Sequence, residues 1–197
     1  MQRIFLKKGR EAPVLRGHPW IFSGAIEKFE GAGEDVGVAD IFDSQKNWIA
    51  RGFSNVKSQI RVRIVTWKKE PIDQAFFSRR LSQALSLREE YLSATTNAYR
   101  WINGEGDFLP GLIVDRYDDF LVCQFFTAGM EMSKHEIVDA LKDLIDVKGI
   151  SERSEGKVRA EEGLEDVLDA EAARFEVREH RLDAPASGIL ERAQVSR

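Results

Sequence analysis

The chain has 197 residues, 43% of them hydrophobic and 31% charged, with a formal net charge of −4 and one cysteine. No apolar run approaches the ~20 residues that span a bilayer, and the opening MQRIFLKKGRE lacks the apolar stretch of a signal peptide. A soluble, cytoplasmic protein with a real core is the expectation. A lone thiol excludes an internal disulfide and every multi-cysteine zinc pattern, and the acidic balance argues against indiscriminate nucleic-acid binding.

The distribution of charge says more than its total. Residues 1–70 hold 13 Lys+Arg against 8 Asp+Glu, whereas residues 71–197 hold 16 against 25. Such asymmetry is the mark of a polyanion-facing module joined to something else.

In chain order, Gln2–Leu6 predicts a short strand, and Arg10–Arg16 a brief helix ended by Gly17 and Pro19. Three strands follow at Val36–Asp43, Trp48–Ser54 and Gln59–Trp67. In the last, Ile60, Val62 and Ile64 alternate with Arg61 and Arg63, the period of a strand with one face buried and the other in water. Short strands in close succession predict a small barrel or pseudo-barrel.

The character changes near residue 70. Phe77, Leu81, Ala84, Leu85 and Leu92 recur at helical spacing and predict a helix over Ile72–Leu92. Strands are expected at Tyr99–Ile102, Leu112–Asp115 and Leu121–Phe126. A second helix should run from Lys134 to Ile145, opened by a capping box of Ser133 and Glu136. One more strand is expected at Ile150–Arg153 and a last one at Phe175–Val177. The chain thus divides into a β-rich unit (1–70), a small α/β unit (71–165), and an acidic segment with a disordered tail (166–197).

Little of the usual catalytic chemistry can be built from these residues. Gly31, Gly33 and Gly37 lack the strand-before, helix-after setting that a dinucleotide fingerprint needs. The stretch Gly104–Gly111 lacks the Lys-Ser/Thr ending of a P-loop and reads as a tight acidic turn entering a strand. Cys123 falls in the apolar run Leu121–Phe126 with no basic neighbour, the setting of an inert, packed thiol. His18, His135 and His180 are far apart, and none has a metal-ligand partner at helical spacing.

What remains is the basic, aromatic N-terminal unit. Arg10, Arg16, His18, Arg51, Lys57, Arg61 and Arg63 supply cations, and Trp20, Phe22, Trp48 and Phe53 supply flat faces. Phosphate contacts combined with stacking of unpaired bases are the means of RNA recognition. Core filling is the competing reading for most of the aromatics. Arg16 and His18, at a helix-to-turn junction beside Pro19, are read as RNA contacts.

The stretch Lys8–Glu11 through Leu15–Ile26 (LRGHPWIFSGAI) resembles the opening of a PUA domain. It is the form found in bacterial S-adenosylmethionine-dependent large-subunit ribosomal RNA cytosine methyltransferases. Trp48–Gly52 and Ser58–Arg63 resemble its later strands, and Phe76–Leu81 the linker helix of that family. Gly104–Tyr117 resembles the hallmark of its middle domain, and Ser151–Ser154 with Glu162–Leu164 continue the match. The resemblance covers about residues 3–165.

It implies an α+β fold: a mostly β PUA-like pseudo-barrel, then a small α/β domain, without a complete Rossmann-like methyltransferase domain. It further implies RNA binding, with large-subunit ribosomal RNA as partner, through Arg10, Arg16, His18, Trp20, Arg51, Lys57, Arg61 and Arg63. Full-length members carry the S-adenosylmethionine loop and the attacking cysteine in a later domain. This chain, read as truncated before it, is expected to bind no cofactor and to be inactive alone. For Glu105, Asp107, Asp115 and Arg116 two readings stay open: orienting the catalytic domain or its substrate, or fixing a turn and its strand by hydrogen bonds. Two alternatives accompany the RNA reading. One is a self-associating module, a homodimer through the surface a missing domain would leave; the other is a subunit completed by a separate catalytic chain.

Overall fold

The computed structural model describes residues 1–31, 35–93 and 95–168, together with the backbone of 174–175. Gly33, Val177 and the tail 183–197 fall outside these residues.

The first half is a sheet of six strands. In chain order these are β1 (Gln2–Leu6), helix α1 (Ala12–Leu15), β2 (Trp20–Ile21), a 3₁₀ turn (Ser23–Ala25), β3 (Ile26–Glu30), β4 (Val36–Phe42), β5 (Trp48–Asn55) and β6 (Val62–Thr66). They are arranged β2-β6-β5-β4-β1-β3, with β1 and β4 parallel and the other pairs antiparallel. The alternation in β4 is strict: Gly37, Ala39 and Ile41 point inward between half-buried neighbours. Ala39 and Ile41 join Ile4, Leu6, Val14, Ile21, Ile26, Ala50, Val62 and Ile64 in one core. Helix α1 carries Pro13 in its first turn and ends where Gly17 turns to φ +89°, an early-proline, late-glycine pattern.

Strand β6 departs from expectation. It begins at Val62, and all five of its residues are buried. Val62 and Ile64 face the first core, while Val65 packs into the core of the second half. The face expected to meet water, carrying Arg63, is covered as well. Strands β2 and β3 carry no sequence signal, since one has two residues and the other exposes Glu27, Lys28 and Phe29 in succession.

The second half comprises α2 (Gln74–Tyr91), β7 (Ala98–Asn103), a 3₁₀ turn (Gly104–Asp107), β8 (Leu112–Tyr117), β9 (Phe120–Phe125), α3 (Ala128–Met132), α4 (Lys134–Leu144), β10 (Gly149–Glu152), α5 (Lys157–Glu162) and β11 (Arg174–Phe175). The sheet order is β11-β10-β9-β8-β7. Strands β9 and β10 are parallel, joined by the α3–α4 crossover, and α2 lies against α4. Asp73 caps α2, its Oδ1 accepting the Phe76 N–H at 2.9 Å, which satisfies one of the donors every helix start leaves open. Trp101, fully buried, donates its indole N–H to the Leu81 carbonyl at 3.1 Å and fixes α2 on β7.

The capping box at Ser133 is not formed. Helix α3 runs directly into α4, so the Ser133 N–H is already bonded to the Gly129 carbonyl and its backbone (φ −95°, ψ 14°) is not extended. Its hydroxyl caps nothing. Among the described residues no helix is long and apolar enough to cross a membrane.

The two halves share material where they meet. Phe53 of β5 and Val65 of β6 belong to the second core, and α3 packs on β4 and β5. At Gly129 a Cβ would lie 2.2 Å from Cγ of Phe53. Gly129→Ala should therefore lower stability by about 2 kcal/mol, the usual cost of overpacking a filled core. A thermal melt would check this, and an unchanged midpoint would show that Phe53 swings aside freely.

Candidate nucleic-acid interface

The turn after α1 is built by backbone bonds. The His18 N–H donates to the Pro13 carbonyl at 3.0 Å, and the Ile64 N–H to that of Pro19 at 2.7 Å. The Trp20 N–H donates to His18 Nδ1 at 3.2 Å, which orients the imidazole. The ring of Trp20 meets His18 edge-on at 5.9 Å and Phe22 edge-on at 6.5 Å. Three rings thus line the edge of the sheet at β2, with His18 and Phe22 exposed. Because Ile21 pairs with Val62, and the Ser23 N–H donates to the Gln59 carbonyl at 3.2 Å, the loop carrying Lys57 and Arg61 flanks the same edge. Arg10, Arg16 and Lys57 are exposed. Arg61 is half-buried, donating to the Asn55 carbonyl at 3.2 Å. Trp48 is half-buried and donates its indole N–H to Asp40 at 2.8 Å, and Phe53 is core.

Two of the expected RNA contacts are corrected. Arg51 forms a two-pronged pair with Asp40, Nε to Oδ1 at 2.8 Å and Nη2 to Oδ2 at 3.2 Å, and also donates to the Glu70 carbonyl. Burial opposes ionisation of Asp40, but the hydrogen bonds from Arg51 and Trp48 outweigh it and hold the carboxyl below its ordinary range. Arg63, equally enclosed, pairs through Nη2 with Glu162 Oε1 at 2.8 Å and lies 6.0 Å from the centroid of Trp20. Neither guanidinium is presented to a phosphate. Their neighbours in the strand pattern give no sign of this, because both acidic partners come from elsewhere in the chain.

Glu162, at the end of α5, is only 3% exposed. Its Oε2 accepts the Asn55 side-chain amide at 2.9 Å and the Ala128 backbone N–H at 3.3 Å, beside the Arg63 bond. Burial raises the carboxyl's proton affinity, yet hydrogen bonds from Ser58, Asn55 and Arg63 prevail and keep it below the usual carboxylate range. Arg159, on the same helix, is 2% exposed; it pairs with Glu131 at 2.8 Å and donates to the Phe125 and Glu165 carbonyls. Periodicity picks out neither residue, since a six-residue helix offers none.

The acidic turn closes the edge from the other half. Glu105 Oε1 accepts the indole N–H of Trp20 at 2.9 Å. Asp107 Oδ2 accepts the Asn103 N–H at 2.7 Å and Nη2 of Arg88 at 2.6 Å. Asp115 holds Arg100 by two bonds, at 2.8 and 3.1 Å. Arg116 donates to the Asp118 carbonyl at 2.9 Å and lies over the ring of Tyr99. Of the two open readings, turn-fixing is what these bonds perform, with Glu105 additionally reaching across to the first sheet. Cys123 is fully buried in β9, and desolvation pushes its thiol far up, so it is poorly suited to nucleophilic attack. Among the described residues no cluster of His, Cys, Asp or Glu could hold a metal ion.

A six-stranded sheet with a basic, aromatic edge, joined to an α/β unit, is consistent with a PUA-like architecture. Residues 4–67 match the PUA-like domain family. A solved structure assigned as a SAM-dependent methyltransferase from Streptococcus mutans superposes with a TM-score of 0.71 at 18% identity, over 91% of this chain and 44% of that one. A methyltransferase complexed with SAH gives a TM-score of 0.70 at 16% identity, over 92% of this chain and 44% of that one. At such identities the likeness is one of fold. Sequence reaches further. The chain is 47% identical over 163 residues to ribosomal RNA large subunit methyltransferase I of Tolumonas auensis, covering 82% of this chain and 41% of that relative. It is 45% identical over 165 residues to the protein of the same name from Escherichia coli SMS-3-5, covering 83% and 42%. The chain is a homologue of these methyltransferases and spans about two fifths of their length.

The buried pair at the junction yields a test. Glu162→Gln leaves Arg63 without a counter-charge and should cost about 3 kcal/mol, the lower end for breaking a buried ion pair. Because the folded pKa of Glu162 is depressed, its contribution is complete above the unfolded value, about 4.3, and is lost as pH falls through the folded one. Denaturant titrations should therefore show a shallower acid-side decline in the variant. Parallel curves below pH ~4 would remove Glu162 from the acid response.

Proposed function

We propose that this chain is the RNA-binding part of a ribosomal RNA cytosine-C5 methyltransferase acting in the cytoplasm on large-subunit ribosomal RNA. Residues 1–70 serve as the RNA-binding unit and residues 71–165 as the α/β unit that carries it. The observation that supports this best is the exposed edge formed by Arg16, His18, Trp20 and Phe22 on a PUA-like sheet. Arg10, Arg16, Lys57 and Arg61 meet phosphates as fully charged donors. His18, Trp20 and Phe22 offer ring edges and faces to unpaired bases.

Methyl transfer to carbon 5 of cytosine requires a thiolate that adds to carbon 6. The chain's single thiol is the buried Cys123, so this chain binds RNA without methylating it. By the family resemblance, S-adenosylmethionine and the attacking cysteine belong to a later domain of such enzymes.

Filter binding to large-subunit ribosomal RNA fragments tests the reading. Arg16→Glu should weaken binding by about tenfold and lower the salt dependence by about one phosphate contact; wild-type affinity would remove this edge from RNA recognition. Incubation of the chain alone with that RNA and labelled S-adenosylmethionine should transfer no methyl group, and measurable incorporation would refute the inactive assignment.

A further inference from the structure

Phe108 has a conformation that its own burial does not explain. Its backbone is left-handed (φ 59°, ψ 28°), a region where a bulky side chain is an outlier and glycine or asparagine the ordinary occupant. The ring is nonetheless 49% exposed, so little apolar burial offsets that strain. Three contacts hold it in place. Its ring meets Trp67 edge-on at 6.3 Å, and the Arg80 guanidinium lies 5.3 Å from its centroid. The turn beneath it is pinned by Asp107, bonded to Arg88 and to the Asn103 N–H.

The same turn bonds the N-terminal edge, since Glu105, three residues before Phe108, accepts the Trp20 indole N–H. Trp67 in turn donates to the Val14 carbonyl of α1 at 2.7 Å. Phe108 is therefore locked to the His18–Trp20–Phe22 edge from two directions. Arg80 stays cationic without a carboxylate bonded to it: its Nη2 donates to the Val65 carbonyl at 3.0 Å, and its Nε has no partner. A rigid aromatic ring, open to solvent and backed by a guanidinium, is the platform that unpaired nucleic-acid bases stack upon.

We infer that Phe108 is a base-stacking residue, and that single-stranded RNA crosses from the edge at β2 onto the turn Gly104–Gly111 of the second half. The inference rests on the RNA-binding reading above and extends it to a residue outside the PUA-like domain. Charge complementarity supports this occupant: Arg10, Arg16 and Lys57 carry no acidic partner among the described residues, and Arg80 supplies a fourth cation behind the ring.

The full chain is titrated into a single-stranded oligoribonucleotide carrying 2-aminopurine, whose fluorescence reports stacking. Phe108→Asn removes the ring with a residue that tolerates the left-handed backbone, and Phe108→Tyr keeps a ring. Wild type and Phe108→Tyr should alter the fluorescence on saturation. Phe108→Asn should bind about tenfold more weakly, the loss of roughly one stacked base, and leave the saturating signal near that of free RNA. Matching melting temperatures exclude misfolding, and Phe108→Tyr keeps the comparison valid if Phe108→Asn melts early. Wild-type affinity and signal in Phe108→Asn would overturn the inference, as would a ring kept for a protein partner, which gives the same result. Arg16→Glu is run alongside. If it alone weakens binding, the RNA reading stands and the Phe108 platform falls; if it binds as wild type, the edge fails and Phe108 is judged by its own signal.

Discussion

A carboxylate buried among donors from three other elements governs how this molecule is put together. Glu162 takes hydrogen bonds from Arg63 of β6, Asn55 of β5 and the Ala128 N–H that opens α3, and it is itself the last residue of α5. Burying such a charge costs several kcal/mol unless its lone pairs are filled; here they are. The bond to Ala128 has a second effect. Thr127 makes no side-chain cap on α3, so a carboxylate from 34 residues away takes an N–H that the helix start leaves open, where negative charge is favoured. Helix α3 is thereby held against β5, with Gly129 on Phe53. Arg63 can stay buried only because this counter-charge reaches it.

A second enclosed network holds α5 in position to do this. Arg159 pairs with Glu131, Glu131 with Lys134, and Lys134 with Glu152 at 2.8 Å, while the Ser154 hydroxyl donates to Glu152 and accepts the Phe125 N–H. Buried ion pairs add little net stability compared with apolar packing. What they impose is geometry, since each charge tolerates only the arrangement that satisfies it. The two halves are tied at Glu162, at Trp20–Glu105 and at Trp67–Phe108.

Much of the fold is legible in the residues. Alternation marks β4 and β6, helical spacing marks α2, and the Gly17 and Pro19 stop marks the end of α1. Such signals work because periodicity records one buried face. They fail where burial is two-sided or an element is too short. In β6 the polar positions point into a second core, so Arg63 looks like surface. In α5, six residues carry two of the most deeply buried charges and no period. The Ser133 box matches in sequence, but α3 has already bonded the serine's N–H, so neighbouring structure overrides local propensity. Of the candidate site, Arg16, His18 and Trp20 can be read from the sequence, whereas Arg80 and Phe108 give no sign because their meaning lies in a contact between halves.

The internal pairs also change what the charge asymmetry means. The N-terminal 70 residues carry an excess of five positive charges, but Arg51 and Arg63 are taken up by Asp40 and Glu162, and Arg3 and Lys28 both meet Glu30. Nine cations remain outside these pairs: Lys7, Lys8, Arg10 and Arg16 around α1, Lys57 and Arg61 in the loop before β6, and Lys46, Lys68 and Lys69 elsewhere. Under the proposed function, phosphate contacts attract RNA without regard to sequence, and discrimination would come from shape and from bases placed against rings, which is how proteins select unpaired RNA over duplex. The acidic turn bearing Glu105 and Asp107 reinforces this selectivity. Asp107 is neutralised by Arg88, but Glu105, bonded to the uncharged Trp20 indole, leaves a negative charge beside the edge that would oppose a phosphate backbone laid there without regard to its bases. Charge and stacking thus have separate roles. In the proposed function the arginines would bring the strand to the edge, and the aromatic rings, fixed by the buried pairs behind them, would decide which strand stays.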